Sequence, residues 1–85
     1  MKKVEIYTRS NCSYCTRAKA LLDHKEIDYL EISVDNAPQE VTTMQQRTQQ
    51  RTYPQILINN KPIGGCDDLY ALETTGKLNQ LLTGD

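Results

Sequence analysis

The chain has 85 residues, with ten basic and eleven acidic side chains and a formal net charge of −1. A near-neutral chain with its bases dispersed lacks the electrostatic footprint of a nucleic-acid binder, so that class is excluded. Its three cysteines are an odd number that does not match the paired framework of a disulfide-stapled secreted module.

A chain this short is read as one domain, residues 1–85, whose core is thin because only about 60–65% of the unfolded surface can be buried. It opens with Met1-Lys2-Lys3, but Val4-Glu5-Ile6-Tyr7-Thr8-Arg9 is too polar for a signal sequence, and no segment can span a membrane. A reducing, cytoplasmic setting is expected. Val4, Ile6 and Thr8 alternate with Glu5 and Tyr7, which predicts a strand. From Ser13 to about Lys25 the period becomes helical, with Tyr14, Ala18, Leu21 and Leu22 on one stripe and Arg17, Lys19 and Asp23 off it. Leu30, Ile32 and Val34 alternate as a second strand, and the helix-length crossover favours parallel, right-handed pairing.

Asp35-Asn36-Ala37-Pro38 is a cap signal, with Asp35 or Asn36 as acceptor and Pro38 in the first turn of a helix that runs to about Gln49. Met44 is nearly its only apolar residue after Val41, so its face on the core is narrow. Gln55-Ile56-Leu57-Ile58 predicts a buried strand, Asn59-Asn60 a two-residue turn, and Lys61-Pro62-Ile63 an antiparallel edge strand, because proline donates no ladder hydrogen bond. After Gly64-Gly65, Asp67 and Asp68 lie where carboxylates cap a helix, with Leu69 and Leu72 on its buried side and Gly76 as its stop. Leu78, Leu81 and Leu82 predict a short closing turn or helix. The order β-α-β-α-β-β-α fits an α/β fold, a four-stranded mixed sheet with helices on both faces.

Chemistry concentrates at Cys12-Ser13-Tyr14-Cys15, between the first strand and the first helix. Cysteines three positions apart on a helix lie about 5–6 Å from each other, inside the roughly 4.4–6.8 Å Cα separation that a disulfide tolerates. Free N–H groups and the positive end of the macrodipole at a helix N-terminus favour a thiolate, the nucleophilic form. Cys12 is therefore read as the attacking sulfur and Cys15 as its resolving partner. Taken residue by residue, the other candidates have plainer readings. Asp67 and Asp68 are helix caps, Arg9 and Arg51 surface charges, and Pro54 an ordinary turn proline. Cys66 reads as a small packed residue and His24 as a surface cation at a helix end. A zinc site from Cys12, Cys15, Cys66 and His24 lacks a second closely spaced pair.

Taken together, Cys12-Ser13-Tyr14-Cys15, Thr52-Tyr53-Pro54 and Gly64-Gly65-Cys66-Asp67-Asp68 resemble, in order and spacing, a small bacterial glutaredoxin of the thioredoxin-like fold. The resemblance spans essentially the whole chain. It implies a glutathione-dependent thiol-disulfide oxidoreductase acting on disulfide-containing or glutathionylated proteins. Arg9 and Arg51 would hold the glycine carboxylate of glutathione, and Pro54 would be cis, so that the backbone of Tyr53 pairs with the peptide's cysteine. Gly65 would precede the N–H groups of Cys66 and Asp67, which would receive the γ-glutamyl carboxylate. Asp68 would take the amine, Tyr14 would stand at the rim and Thr52 would complete the loop. The protein is expected to act as a monomer, with no resident metal. The alternative is a dimer bridged by a [2Fe-2S] cluster, with Cys12 of each subunit and two glutathiones as ligands. Two residues depart from the family's commonest pattern. Ser13 stands in place of proline, adding freedom and a donor near Cys12, and Tyr53 stands in place of valine, putting a large ring beside the ligand.

Overall fold

The computed structural model describes residues 2–83. Its elements are β1 (Val4–Thr8), α1 (Ser13–His24), β2 (Leu30–Ser33), α2 (Pro38–Thr48), β3 (Gln55–Ile58), β4 (Lys61–Gly64), α3 (Cys66–Thr74) and α4 (Lys77–Thr83). The sheet order is β2-β1-β3-β4, with β2 parallel to β1 and the other two pairings antiparallel. The expected mixed four-stranded sheet is therefore present, with the closing leucines wound into a true helix, α4.

Side-chain alternation along the two central strands assigns the faces. Val4 and Ile6 of β1 and Ile56 and Ile58 of β3 join Ala18, Leu21 and Leu22 of α1, Leu69 of α3, and Leu78 and Leu82 of α4 in the main core. On the opposite face the buried apolar cluster among the described residues is Tyr7, Met44 and Leu57, under α2, with Ile32, Val34 and Tyr53 packed at the margin. Twelve buried residues against three mean that the α1/α3/α4 face supplies most of the hydrophobic stabilisation, at about 1.5–3 kcal/mol per large side chain. Helices thus cover both faces, and the narrow apolar face expected of α2 is observed.

Because α2 offers so little apolar surface, a polar cluster fastens it. Glu5 projects from the α2 side of β1 and is 5% exposed. Arg47 of α2 grips it with two parallel bonds, Nη2 to Oε1 at 2.7 Å and Nη1 to Oε2 at 3.0 Å. Arg47 also donates to the Tyr7 hydroxyl at 3.0 Å and the Asn60 side-chain oxygen at 3.2 Å. The guanidinium holds the Glu5 carboxyl below its ordinary range against the opposing effect of burial.

Three local expectations are corrected. Tyr14 does not pack on the buried stripe of α1, being 51% exposed, and Cys15 occupies that stripe instead with Ala18, Leu21 and Leu22. The second strand is Leu30–Ser33, so Val34 lies just past its end, and Leu30, on this edge strand, is 54% exposed. Neither Asp35 nor Asn36 caps α2. Ala37 is the N-cap and makes no side-chain cap bond, while Pro38 takes the first helical position as expected. The β3–β4 turn follows its sequence signal, since Asn59 and Asn60 both adopt positive φ, 53° and 70°.

Candidate active site

The site begins where β1 ends. Asn11 takes a left-handed conformation, φ 56°, which turns the chain from the strand into α1. That turn is staked to the β2–α2 connection by Asp35. Both carboxylate oxygens of Asp35 accept the Ser10 N–H at 3.2 Å, and one also accepts the Ser10 hydroxyl. These bonds hold the Asp35 carboxyl below its ordinary range.

Cys12 is the N-cap of α1, with extended backbone, and its Sγ accepts the Cys15 N–H at 3.2 Å. A sulfur thus stands where a Ser or Asp oxygen usually caps, with the free amide of the third helical residue and the positive helix end directed onto it. The donor to Cys12 comes from Cys15, and Ser13 donates no hydrogen bond to it among the described residues. Cys15 is 2% exposed, and burial, followed by its hydrogen bond with Cys12, pushes its thiol up to about 11. Both are free thiols, as is Cys66. One sulfur is presented and the other is kept protonated beside it.

The second wall is Thr52-Tyr53-Pro54, with a cis Tyr53–Pro54 bond. The Tyr53 carbonyl oxygen lies 3.9 Å from Cys12 Sγ, which brings this loop against the thiol. The Tyr53 ring both packs on the core and lines the groove. The ring is half-buried against the Tyr7/Met44/Leu57 cluster, and the Arg9 guanidinium lies 5.8 Å from its centre. Arg9 is exposed at that edge.

The third wall is the β4–α3 turn. Gly64 has φ +110°, and a Cβ there would run into the Asp68 carboxylate, so glycine is what lets Asp68 fold back. A Cβ on Gly65 would stand 3.2 Å from the Pro54 carbonyl oxygen, so the second glycine permits close approach of the two loops. Gly65 is the N-cap of α3, and Asp68 Oδ2 accepts its N–H at 3.0 Å. The capping carboxylate is therefore Asp68 acting from the third helical position, with Asp67 exposed beside it. Cys66 is 3% exposed and burial pushes its thiol up.

Between these walls runs an open groove of about 500 Å³. It is lined by Tyr14 of α1, by Thr52, Tyr53 and Pro54 of the loop, and by Gly65, Cys66, Asp67 and Asp68 of the β4–α3 turn, while Cys12 is not among its lining residues. Arg51 is exposed next to Thr52 and lies outside the groove lining, as does Arg9. Gln50, Gln55 and Gly64 also line it, and sequence reasoning did not select them. Gln55 carried one signal, a polar side chain at the head of an otherwise apolar strand. Among the described residues no group of three His, Cys, Asp or Glu side chains could hold a metal ion, and no helix is long and apolar enough to cross a membrane.

A helix-capping sulfur with a buried, weakly acidic partner thiol is the machinery of a thiol-disulfide oxidoreductase, and the sheet carrying it has the thioredoxin-like arrangement. The comparisons narrow that class. The family model for glutaredoxin matches residues 4–63. Glutaredoxin 3 of Escherichia coli K12 is 48% identical over 82 residues, covering 96% of this chain and 99% of its own length. The solution structure of glutaredoxin from Brucella melitensis is 50% identical, with a TM-score of 0.84, covering 100% of this chain and 94% of that one. A crystal structure of a buckwheat glutaredoxin–glutathione complex superposes with a TM-score of 0.87 at 33% identity, covering 96% of this chain and 77% of that one. The chain belongs to the glutaredoxin family. It is accordingly a glutathione-dependent thiol-disulfide oxidoreductase.

Proposed function

We propose that the Cys12 thiolate attacks the glutathione sulfur of a glutathionylated protein, forming a Cys12–glutathione disulfide and releasing the protein thiolate. A second glutathione thiolate then attacks that disulfide, leaving oxidised glutathione and restoring the Cys12 thiolate. With a protein disulfide, Cys12 forms a mixed disulfide and Cys15, once deprotonated, displaces the protein thiol and closes a Cys12–Cys15 bond. Two glutathiones reopen it. The observation that carries this reading is the asymmetry of the pair: Cys12 Sγ is held by the Cys15 N–H at the helix N-terminus, and the Cys15 thiol is buried and pushed up to about 11. A Cys15→Ser variant treated with oxidised glutathione should carry a single adduct, located by mass spectrometry on Cys12. An adduct on Cys66 instead would overturn the assignment.

Glutathione fills the groove in this reading. Tyr53 offers its backbone to the peptide's cysteine, in the manner of an added strand. The N–H groups of Cys66 and Asp67 at the start of α3 suit the γ-glutamyl carboxylate. Asp68 uses Oδ2 for Gly65, which leaves Oδ1 for the amine. Arg9 and Arg51 are the cations beside the loop for the glycine carboxylate, while Tyr14, Thr52, Pro54 and Gly65 shape the walls. The partners are then disulfide-containing or glutathionylated proteins, met by a monomer.

The second reading is a [2Fe-2S] centre, for which the burial of two of the three thiols limits what each chain could offer. With Cys15 and Cys66 buried, each chain offers Cys12 alone, so a four-thiolate ligand set would need two copies of the chain and two glutathiones. Such a centre would add visible absorbance and couple the dimer. Purification without oxygen and with glutathione present separates the readings: a colourless monomer supports the oxidoreductase alone, and a brown dimer supports the cluster.

A further inference from the structure

Gln55 is the first residue of β3 and is 2% exposed, yet its side chain does not serve the sheet. Its Nε2 donates at 3.0 Å to the Thr52 carbonyl oxygen and at 3.0 Å to the Thr52 hydroxyl oxygen. Its Oε1 is buried and accepts from no group among the described residues. A buried acceptor without a protein partner does not strengthen the fold. The amide is placed for what its nitrogen holds. The Thr52 carbonyl shares one rigid plane with the Tyr53 N–H, and in a trans peptide the two point in opposite directions. Fixing the carbonyl toward Gln55 therefore fixes the Tyr53 N–H away from it. No described group accepts that N–H, although the same residue's carbonyl lies 3.9 Å from Cys12 Sγ.

We infer that Gln55 is a positioning residue of the glutathione site. By clamping the Thr52 carbonyl it aims the Tyr53 N–H, the donor that pairs with the cysteinyl backbone of the bound peptide. The inference rests on the proposed role of Tyr53, and it makes Gln55 a determinant of affinity rather than of chemistry, since its side chain reaches neither sulfur.

Gln55→Met keeps the side-chain volume and removes both the clamp and the orphaned acceptor. Its Tm should be no lower than that of the parent, and kcat on a glutathionylated peptide should stay within about twofold. KM should rise about five- to tenfold, the weight of one well-aimed hydrogen bond. The affinity for S-methylglutathione, which has the same peptide but no exchangeable thiol, should fall by the same factor. The Tyr53 amide resonance should lose its response to that probe. Gln55→Glu, which retains the shape and the Thr52 hydroxyl contact but sets an acceptor against the Thr52 carbonyl, should raise KM at least as much and keeps the test open should the methionine variant fold poorly. Unchanged KM and probe affinity in either folded variant overturns the inference, as does a lower Tm with KM unmoved. A parent protein that neither binds S-methylglutathione nor reduces the peptide would instead overturn the glutathione reading of the groove, a separate and distinguishable failure.

Discussion

The strand β1 feeds two polar clusters of opposite design. On its α2 side, Glu5, Tyr7 and Arg47 satisfy one another through a bidentate ion pair and a phenol bond, with Glu5 and Tyr7 buried and Arg47 a quarter exposed. Beyond its end, Tyr53 and Asp68 line the groove and Cys12 Sγ stands behind its wall, 3.9 Å from the Tyr53 carbonyl oxygen, each with bonding capacity that no described side chain takes up. The first cluster answers a shortage of apolar surface beneath α2. In the second, backbone and side-chain groups are held firmly from behind, by Asp35 on Ser10, Gln55 on Thr52 and Gly65 on Asp68, while their front atoms stay open. Polar groups that close on themselves hold the fold, and polar groups supported on one side only are the ones the proposed reading gives to glutathione.

The comparison breaks most sharply at Cys12. Cys12→Ser should reduce turnover of glutathionylated peptide to background with little change in Tm, because a hydroxyl cannot replace a thiolate at neutral pH. Cys15→Ser should retain that turnover and lose the route through the Cys12–Cys15 disulfide. Equal loss in both, measured by steady-state kinetics, would remove the separate roles.

The closed cluster should respond in the opposite sense. Arg47→Met leaves the buried Glu5 carboxylate with only the exposed Lys3 ammonium, 3.9 Å away, at a cost of about 2–4 kcal/mol, or on the order of 10–20 °C in Tm. KM and kcat at a temperature where the variant is folded should match the parent. The pH dependence follows in sign. The Glu5 carboxyl is held below its ordinary 4.5, so its stabilisation is complete above that value and is lost as pH falls through the lower folded-state value. Urea midpoints of the parent and Glu5→Gln should therefore differ at pH 7 and converge in acid. A constant gap down to pH 2 would show that packing, not charge, distinguishes them.

Asp68 belongs to both designs and can sharpen the contrast. Asp68→Asn retains an acceptor for the Gly65 N–H and should keep Tm near that of the parent, while losing the charge-assisted bond to the ligand amine should raise KM roughly tenfold. Asp68→Ala should show the same KM effect and also lose about 1 kcal/mol of capping. Arg9→Ala should raise KM less, since an exposed cation is screened. If Asp68→Asn leaves KM unchanged, capping is its whole role.

The smallest effect is expected at Ser13. Its position opens α1, where proline has a suitable φ, and the hydrogen bond to Cys12 Sγ comes from Cys15. Ser13→Pro should leave the rate of Cys12 alkylation by iodoacetamide at pH 7 within about twofold of the parent. A larger slowing would return the donor role to Ser13.

Much of this was legible in local sequence, for reasons that are themselves local. A strand alternating over Val4–Thr8, a helix with Ala18, Leu21 and Leu22 in register, paired asparagines at a turn and a proline on an edge strand each follow from periods and dihedral preferences over a few residues. Two cysteines separated by one helical turn announce redox chemistry because spacing alone brings them within reach. The site residues carried over from the glutaredoxin resemblance depended on the order of three short motifs along the chain.

Tertiary structure decided what depends on distant partners. Glu5 and Arg47 are 42 positions apart, so nothing near either one signals that the glutamate is buried and the arginine bound to it. Asp35 carries the sequence mark of a helix cap and is taken by Ser10 instead, because a side chain with two available N–H groups goes to the one the fold brings close. Tyr14 has the spacing of a core residue, but Cys15 takes the buried position at the start of α1 and Tyr14 is left exposed on the groove. Gln55 looked like the polar head of a strand, and although its partner Thr52 is only three positions away, it is the fold that buries the pair's bond beside the groove. Periodicity along a chain determines which elements form, and only their assembly determines which polar atoms find partners and which are left open for a substrate.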